Sequence, residues 1–227
     1  MPRYAFVDTV ANTAFEVRGA FTAPDGRNYP RNWLALSSAQ QRAAIGLKVI
    51  TPAGEPVVGK REKGKVLVVI GGAPIEQLLT EDIPIAELLD GKIAEIDAER
   101  DRRQQLDLVH DFAATTAIDD FGNEIEAGAR SLQMRAIDQA NWTVLNGQAL
   151  AAVAGGAPET VMAMRAEDNW NIQTTAAQVL TVCAAMVARN GAILFAGGAL
   201  KSQVRELAAA NDRAGVLAFD PLSGWPE

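Results

Sequence analysis

Alternating apolar and polar positions at the start of the chain predict β-strands. Residues 4–10 and 13–21 carry β-branched and aromatic side chains on either side of a two-residue turn, which is the pattern of a short β-hairpin. A further apolar strand is predicted at 65–70. Residues 1–73 are therefore predicted to form a small β-rich N-terminal domain. Its few strands would need a partner, or a second copy, to cover their edges.

The apolar positions change to a helical period from Pro74 and predict a helical connector over 74–106. Leucines and isoleucines recur up to Ile96, after which charges of both signs interleave. This pattern indicates a solvated helix, held by ion pairs one turn apart, that stands free between two domains. A short coiled-coil seam in a homotrimer is the alternative, although one or two heptads are fewer than the three or four that define a coiled coil.

Residues 107–227 are predicted to form a C-terminal module in which β-hairpins pack with two to three helices, followed by a short extended tail. One hairpin is expected to turn at 115–116, with Gly122 and Asn123 as a bulge or second turn, and another hairpin is expected to turn at 166–169. Between them, Ala129 and Leu132 begin an apolar face with helical spacing. The fold class predicted for the whole chain is α+β.

Two capping boxes mark predicted helix starts. Ser38 and Thr175 are each followed three residues later by glutamine, so that the hydroxyl and the amide can each satisfy an unpaired backbone N–H. The first box predicts a short helix that stops at Gly46. The second predicts an apolar helix that is buried nearly all round, with a kink or break at the glycines of 190–191 and 197–198.

Composition excludes several classes of function. A hydrophobic content of 48% over 227 residues suffices for a core, whereas a net charge of −7 argues against a nucleic-acid surface. The longest apolar window, 184–200, is interrupted by polar residues and glycines, so no membrane insertion is expected. The start of the chain has no apolar segment typical of a signal peptide, and one cysteine cannot form an intrachain disulfide, so a cytosolic site of synthesis is expected.

The residue types that carry chemistry lack the neighbours that a site requires. His110 is the only histidine and nothing in the flanking sequence supports a catalytic triad, while Cys183 is predicted to be inert packing in an apolar helix. The acids around Asp119 and Asp120 match neither a calcium loop nor another fixed motif. No catalytic residue, cofactor or metal site is predicted, and the chain is not expected to be an enzyme.

Aromatic residues are the candidates for contacts with other proteins. Trp225 lies in a tail rich in proline and glycine, where it would serve as an interface anchor. Tyr4 and Phe6 lie in the first strand of the domain whose edges need covering. Trp33 and Trp170 adjoin apolar runs, so core packing is expected for both.

Two stretches resemble bacteriophage tail proteins. The first, YPRNWLALS at 29–37 followed by RAAIGL at 42–47, is similar to an N-terminal segment of tail and tail-fibre-associated proteins. The second runs from about 106 to 209 and includes DDFG at 119–122 and MRAEDNW at 164–170. It resembles a phage domain of unknown function found at the C-terminal end of such proteins.

The resemblance implies a structural component of a phage tail, at the tail tip, the baseplate or the point of fibre attachment. Its partners would be other tail or fibre proteins and further copies of itself, for instance in a trimer. It would lie in the virion, and in the host cytoplasm before assembly. The alternative hypothesis is a tail-fibre assembly chaperone that does not remain in the particle. A host-wall hydrolase or sugar-binding protein would rest only on scattered carboxylates and tryptophans.

Overall fold

A computed structural model of the chain describes residues 2–119 and 121–226. The chain divides into two compact units, Met1–Pro84 (unit 1) and Ile85–Glu227 (unit 2). About 40% of the residues are helical and 30% lie in strands, which confirms the predicted α+β class.

Unit 1 contains seven strands and two short helices among its described residues. In chain order they are β1 (Tyr4–Asp8), β2 (Thr13–Val17), β3 (Phe21–Thr22), β4 (Asn28–Tyr29), α1 (Trp33–Leu36), α2 (Ala39–Ala44), β5 (Leu47–Val49), β6 (Lys60–Ile70) and β7 (Ala73–Asp82). One antiparallel sheet has the order β2-β1-β5, while β3 pairs with β4 and β6 with β7. The hairpin predicted at the N-terminus is therefore confirmed.

A small aromatic core holds unit 1 together. Tyr4, Val17 and Leu47 are buried, and the half-buried Phe21 and Trp33 pack against them. The first capping box is formed as predicted, with Ser38 accepting from the backbone N–H of Gln41.

The prediction that a helix begins at Pro74 is wrong, because residues 73–82 pair with β6 as a ten-residue strand. Gly71 and Gly72 both have positive φ, which allows the two-residue turn that reverses the chain. Opposite charges then face each other across the hairpin, as in Arg61 with Glu81, whose nearest atoms are 2.8 Å apart. The charged run at 60–63 therefore belongs to a strand, and this partner strand explains the apolar residues after Pro74.

Unit 2 combines a four-stranded sheet with four helices among its described residues. In chain order they are α3 (Ile85–Gln104), β8 (Leu108–Ile118), β9 (Glu124–Leu132), α4 (Ala136–Ala154), β10 (Val161–Arg165), β11 (Asn171–Thr175), α5 (Ala176–Ala209) and α6 (Arg213–Ala218). The sheet is antiparallel, with the order β10-β11-β8-β9. Its main core is formed by the sheet, α4 and the first half of α5.

The helix predicted as a free-standing connector is instead part of unit 2. Ile96 of α3 is fully buried and packs with Leu200 and Val204 of α5 and with Val216 of α6. The interleaved charges predicted a solvated helix, and most of them do lie on the exposed side of α3. The opposite side of α3 is apolar and packs against α5 and α6. Glu99 is also buried, and it accepts hydrogen bonds from two arginines of its own helix.

The first hairpin of unit 2 does not turn at 115–116 but at the alternative site that includes Gly122 and Asn123. β8 continues through 115–116, and the turn lies at 119–123, where the Asp119 carboxylate accepts from the backbone N–H groups of Phe121 and Asn123 at 2.8 Å each. Residues Ala129 and Leu132 then lie in β9 rather than in a helix. Gly128 has a positive φ and lies where the register with β8 shifts. Ala129 is exposed and Leu132 is buried, so the two residues point to opposite faces of the strand, and their spacing of three residues does not reflect a helical face.

The second hairpin and its following helix confirm the sequence analysis. β10 and β11 flank the turn at 166–169, in which Asn169 has a φ of 68°. Thr175 and Gln178 form the capping box that opens α5. The helix runs unbroken for 34 residues, so a break at 190–191 or 197–198 does not occur. Glycine keeps its backbone N–H and costs a helix only about 1 kcal/mol, which the surrounding packing can offset.

Candidate interaction surface

Helix α5 has two apolar faces with different surroundings. The inward face is buried against the sheet, α4, α3 and α6. Its residues are Val179, Val182, Cys183, Met186, Ile193, Leu200 and Val204. The prediction that α5 is buried nearly all round is wrong, because only this side of the helix is buried.

The opposite side of α5, here called the open face, is apolar and exposed. It consists of Ala184, Val187, Ala188, Ala192, Leu194, Phe195, Gly198 and Ala199. Phe195 exposes 83% of its surface, Val187 72% and Leu194 51%. No residue of this face carries a charge.

The area of the open face is large for a surface that faces only water. With usual side-chain areas, its exposed residues offer on the order of 500 Å² of apolar surface. The largest apolar patch on a typical monomeric protein is about 300–600 Å², and such patches often mark binding sites. A standard protein interface buries about 800 Å² on each partner, so the open face could form the greater part of one.

A cavity of about 320 Å³ lies between α4 and α5 at the edge of the open face. Val187 belongs to both the cavity wall and the open face, and Asn190 and Trp142 also line the cavity. The Oδ1 atom of Asn190 is buried and has no hydrogen-bond partner among the described residues. A partner that covers the open face could therefore also supply a hydrogen-bond donor here.

The predicted interface residue Trp225 packs against helix α5 of the same chain. Its indole packs where Gly197 leaves space, and its Nε1 atom donates to the carbonyl oxygen of Pro221 at 2.8 Å. The Arg103 guanidinium lies 5.6 Å from the centre of the ring. The expected extended tail is therefore ordered by α6 and by this contact, and an intermolecular role for Trp225 stays a prediction.

The other two predicted interface residues also have partners within unit 1. Tyr4 is buried, and the Arg42 guanidinium lies 4.9 Å from its ring centre. Phe6 is half-buried, with its ring 5.9 Å from that of Phe21. An interface role for Tyr4 and Phe6 stays a prediction. Trp33 and Trp170 pack as expected, and Trp170 carries the Arg130 guanidinium 4.1 Å above its ring.

The residues considered for chemistry are engaged in structural contacts. His110 stacks edge-on against Phe112 with 4.7 Å between ring centres, and Asp119 holds the hairpin turn. Burial raises the pKa of the Cys183 thiol, which disfavours the reactive thiolate. Asp120 lies outside the described residues. Among residues 2–119 and 121–226, no group of three or more His, Cys, Asp or Glu side chains could hold a metal ion.

Helix α5 is also long and apolar enough, by length and composition alone, to cross a membrane, contrary to the impression from the glycine-interrupted sequence. Only 28% of its most apolar window is buried, because the open face makes up much of it. The inward face of the same helix is packed into the core of unit 2.

A family match covers this part of the chain. The family described as "Domain of unknown function (DUF4376)" matches residues 87–219, more than half of the sequence. The chain belongs to this family. The DUF4376 segment begins in α3 and ends just after α6, so it includes the sheet and all of α5 with its open face. The predicted C-terminal domain of unknown function is confirmed, and it includes α3, the predicted connector.

The remaining comparisons found no relatives: no curated protein and no solved structure matches the chain. The open face was missed by the sequence analysis, although a signal for it exists. Ten residues, 191–200, contain no charge on any side of the helix. The glycines in this stretch predicted a kink or break, whereas the absence of charge fits a helix with one covered and one open side.

Proposed function

We propose that this protein is a non-enzymatic structural component of a bacteriophage tail, and that copies of it associate through the open face of α5. The observation that carries the proposal is the exposed, uncharged surface of Val187, Leu194 and Phe195 on the central helix of the family domain. The tail setting is supported by the resemblance of 29–47 and 106–209 to phage tail proteins.

A second copy is the occupant that this face favours most. Unit 2 has 20 acidic and 11 basic residues, so a surface that carries this excess of acids would repel its own copy. The open face has no charge and can meet itself without that repulsion. Alanine and glycine on the face allow two helices to approach closely, and a symmetric pairing would place Phe195 of one copy over the small residues of the other.

The charged groups of unit 2 support a structural rather than a catalytic role. Arg102 and Arg103 hold the pKa of Glu99 at about 2, and hydrogen bonding from Lys201 holds the pKa of Asp97 below its usual range. Both carboxylates are thus locked in ion pairs that join or stiffen helices. Groups held in this way are poor proton donors at neutral pH.

Site-specific photo-crosslinking tests the self-association. The photoreactive residue p-benzoylphenylalanine would replace Phe195 in one variant and Phe121, a turn residue that is 90% exposed, in the control. Irradiation of the purified chain should give a covalent oligomer from position 195 and little or none from position 121. Equal crosslinking at both positions, or none at 195, would contradict the proposed face.

Mass spectrometry of purified phage particles tests the tail assignment. A structural component should be present in a fixed ratio to the other tail proteins. Absence of the chain from mature particles, combined with an increase in fibre-protein solubility on co-expression, would overturn the assignment in favour of an assembly chaperone.

A further inference from the structure

Unit 1 contains a concave pocket that the proposed self-association does not use. Its volume is about 730 Å³, and residues from β1, β2, α2 and the segment around α1 line it. Four arginines belong to the lining, namely Arg3, Arg18, Arg31 and Arg42, whereas Glu16 is its only acidic residue among those described. Tyr4, Val17 and Leu34 supply apolar wall between the cations.

The acids near the pocket neutralise only part of this charge. The Glu16 carboxylate accepts from Arg3 at 2.6 and 2.7 Å and from Arg18 at 2.6 Å. The hydrogen bond from Arg3, and to a smaller extent that from Arg18, holds the pKa of Glu16 at about 2, so Glu16 is ionised at neutral pH. Glu76, just outside the lining, accepts a further bond from Arg3. Four guanidinium groups therefore face two carboxylates, which leaves an excess of two positive charges.

Of the four arginines, Arg18 and Arg31 are the most accessible to a ligand. Arg18 is 76% exposed and shares its only described acidic partner with Arg3. Arg31 is exposed and has no ion-pair partner within the described part of the chain. An exposed arginine with few existing partners can direct its planar guanidinium group at a carboxylate and form two hydrogen bonds with it, with little loss of existing bonds.

Arg42 differs because it is fixed at the wall of the pocket. It donates to the carbonyl oxygens of Leu34, at 2.9 Å, and Ser37, and its guanidinium lies over the Tyr4 ring. Its Nε atom is buried and has no hydrogen-bond partner among the described residues. A buried N–H of a charged group without an acceptor is costly, so an acceptor supplied from outside would be favourable here.

The pocket is also located in the cationic part of an acidic chain. Unit 1 has ten basic and eight acidic residues, whereas unit 2 has eleven basic and twenty acidic residues. An anionic group is therefore attracted to unit 1 specifically and not to the protein as a whole.

We propose that this pocket binds an acidic peptide segment of a partner protein, with its carboxylates between Arg18 and Arg31 and its aliphatic stems against Tyr4, Val17 and Leu34. Apolar walls among the cations suit glutamate or aspartate side chains, which carry methylene groups. A nucleic acid would need an extended basic track, and the net charge of the chain opposes one.

Fluorescence anisotropy with a fluorescein-labelled hexaglutamate peptide tests the site on the full chain at low salt. The wild type should bind the peptide saturably, and Arg31→Gln and Arg18→Gln should each weaken binding about tenfold or more, because each removes charge-assisted hydrogen bonds. Both side chains are exposed, so an unchanged Tm would show that the variants are folded. Arg27→Gln is the matched control, since Arg27 is 77% exposed, lies in unit 1 and does not line the pocket.

Three results would overturn the proposal. They are no saturable binding by the wild type, an equal loss of affinity for Arg27→Gln, and displacement of the peptide by inorganic phosphate at concentrations as low as those of unlabelled hexaglutamate. The last result would identify a general anion site instead of a peptide site. A labelled hexaglutamine peptide should not bind. The crosslinking at position 195 does not depend on any of these outcomes.

Discussion

The two faces of α5 have nearly the same amino-acid chemistry and opposite environments. Ile193 is 3% exposed and its neighbour Leu194 is 51% exposed, and Gly197 is buried beside the exposed Gly198. The inward face contributes to the free energy of folding, whereas the open face can contribute only when something covers it. Apolar character therefore shows that a helix side needs covering, but not whether the cover comes from the same chain.

The largest contrast is expected between Ile193→Asp and Leu194→Asp. At position 193 the carboxylate would be buried without a partner, which should cost about 3–5 kcal/mol and lower the Tm of unit 2 by about 10 °C or more. At position 194 it would face water, and the unfolding free energy of the dissociated chain should change by less than about 1 kcal/mol. Urea unfolding followed by circular dichroism measures both values.

These neighbouring variants have the same chemical change, so each serves as the control for the other. Low protein concentration keeps association from adding to the apparent stability. Equal destabilisation at the two positions would mean that the open face is covered within the chain, and the comparison would fail.

An intermediate effect is expected at Glu99, on the helix that helps to cover the inward face. Glu99→Gln should lower the unfolding free energy at neutral pH by about 1–2 kcal/mol, because it removes charge-assisted bonds from Arg102 and Arg103. The pKa of Glu99 is about 2 in the folded chain and near 4.5 when unfolded. Its contribution is thus complete above pH 4.5 and is lost as the pH falls towards 2.

Urea unfolding at a series of pH values checks this expectation. The difference between the wild type and Glu99→Gln should shrink between pH 4.5 and 2. Glu95→Gln is the control, since Glu95 is 54% exposed and its ion-pair partner among the described residues is Lys92, so its effect should stay below about 0.5 kcal/mol. A difference that is independent of pH would show that the ion pairs of Glu99 do not stabilise the fold.

The smallest effect is expected at the two adjacent glycines. A Cβ at Gly198 meets nothing within 4 Å, so Gly198→Ala should stabilise the dissociated chain by up to about 1 kcal/mol through helix propensity. A Cβ at Gly197 would lie 3.2 Å from the Trp225 ring, so Gly197→Ala should gain less or lose stability. Thermal unfolding measures both, and equal gains would contradict the docking of Trp225 on α5.

The sequence was most informative where a local motif determines the structure. The capping box at Thr175 and the turn before Trp170 depend on neighbouring residues, and both were predicted correctly. The strand β7 and the register shift between β8 and β9 were missed because both depend on pairing between separate segments of the chain. The open face was missed for a related reason, since one helix cannot indicate which of its apolar sides the rest of the fold will cover.

The central claim, that the open face is an interface between copies, is tested most directly by the solution mass of the full chain from sedimentation equilibrium. The account predicts a mass of at least twice the 24.1 kDa of one chain for the wild type and for Phe121→Asp, and the mass of one chain for Phe195→Asp. A wild-type chain that stays at 24.1 kDa, and instead sediments with phosphatidylcholine vesicles, would contradict it.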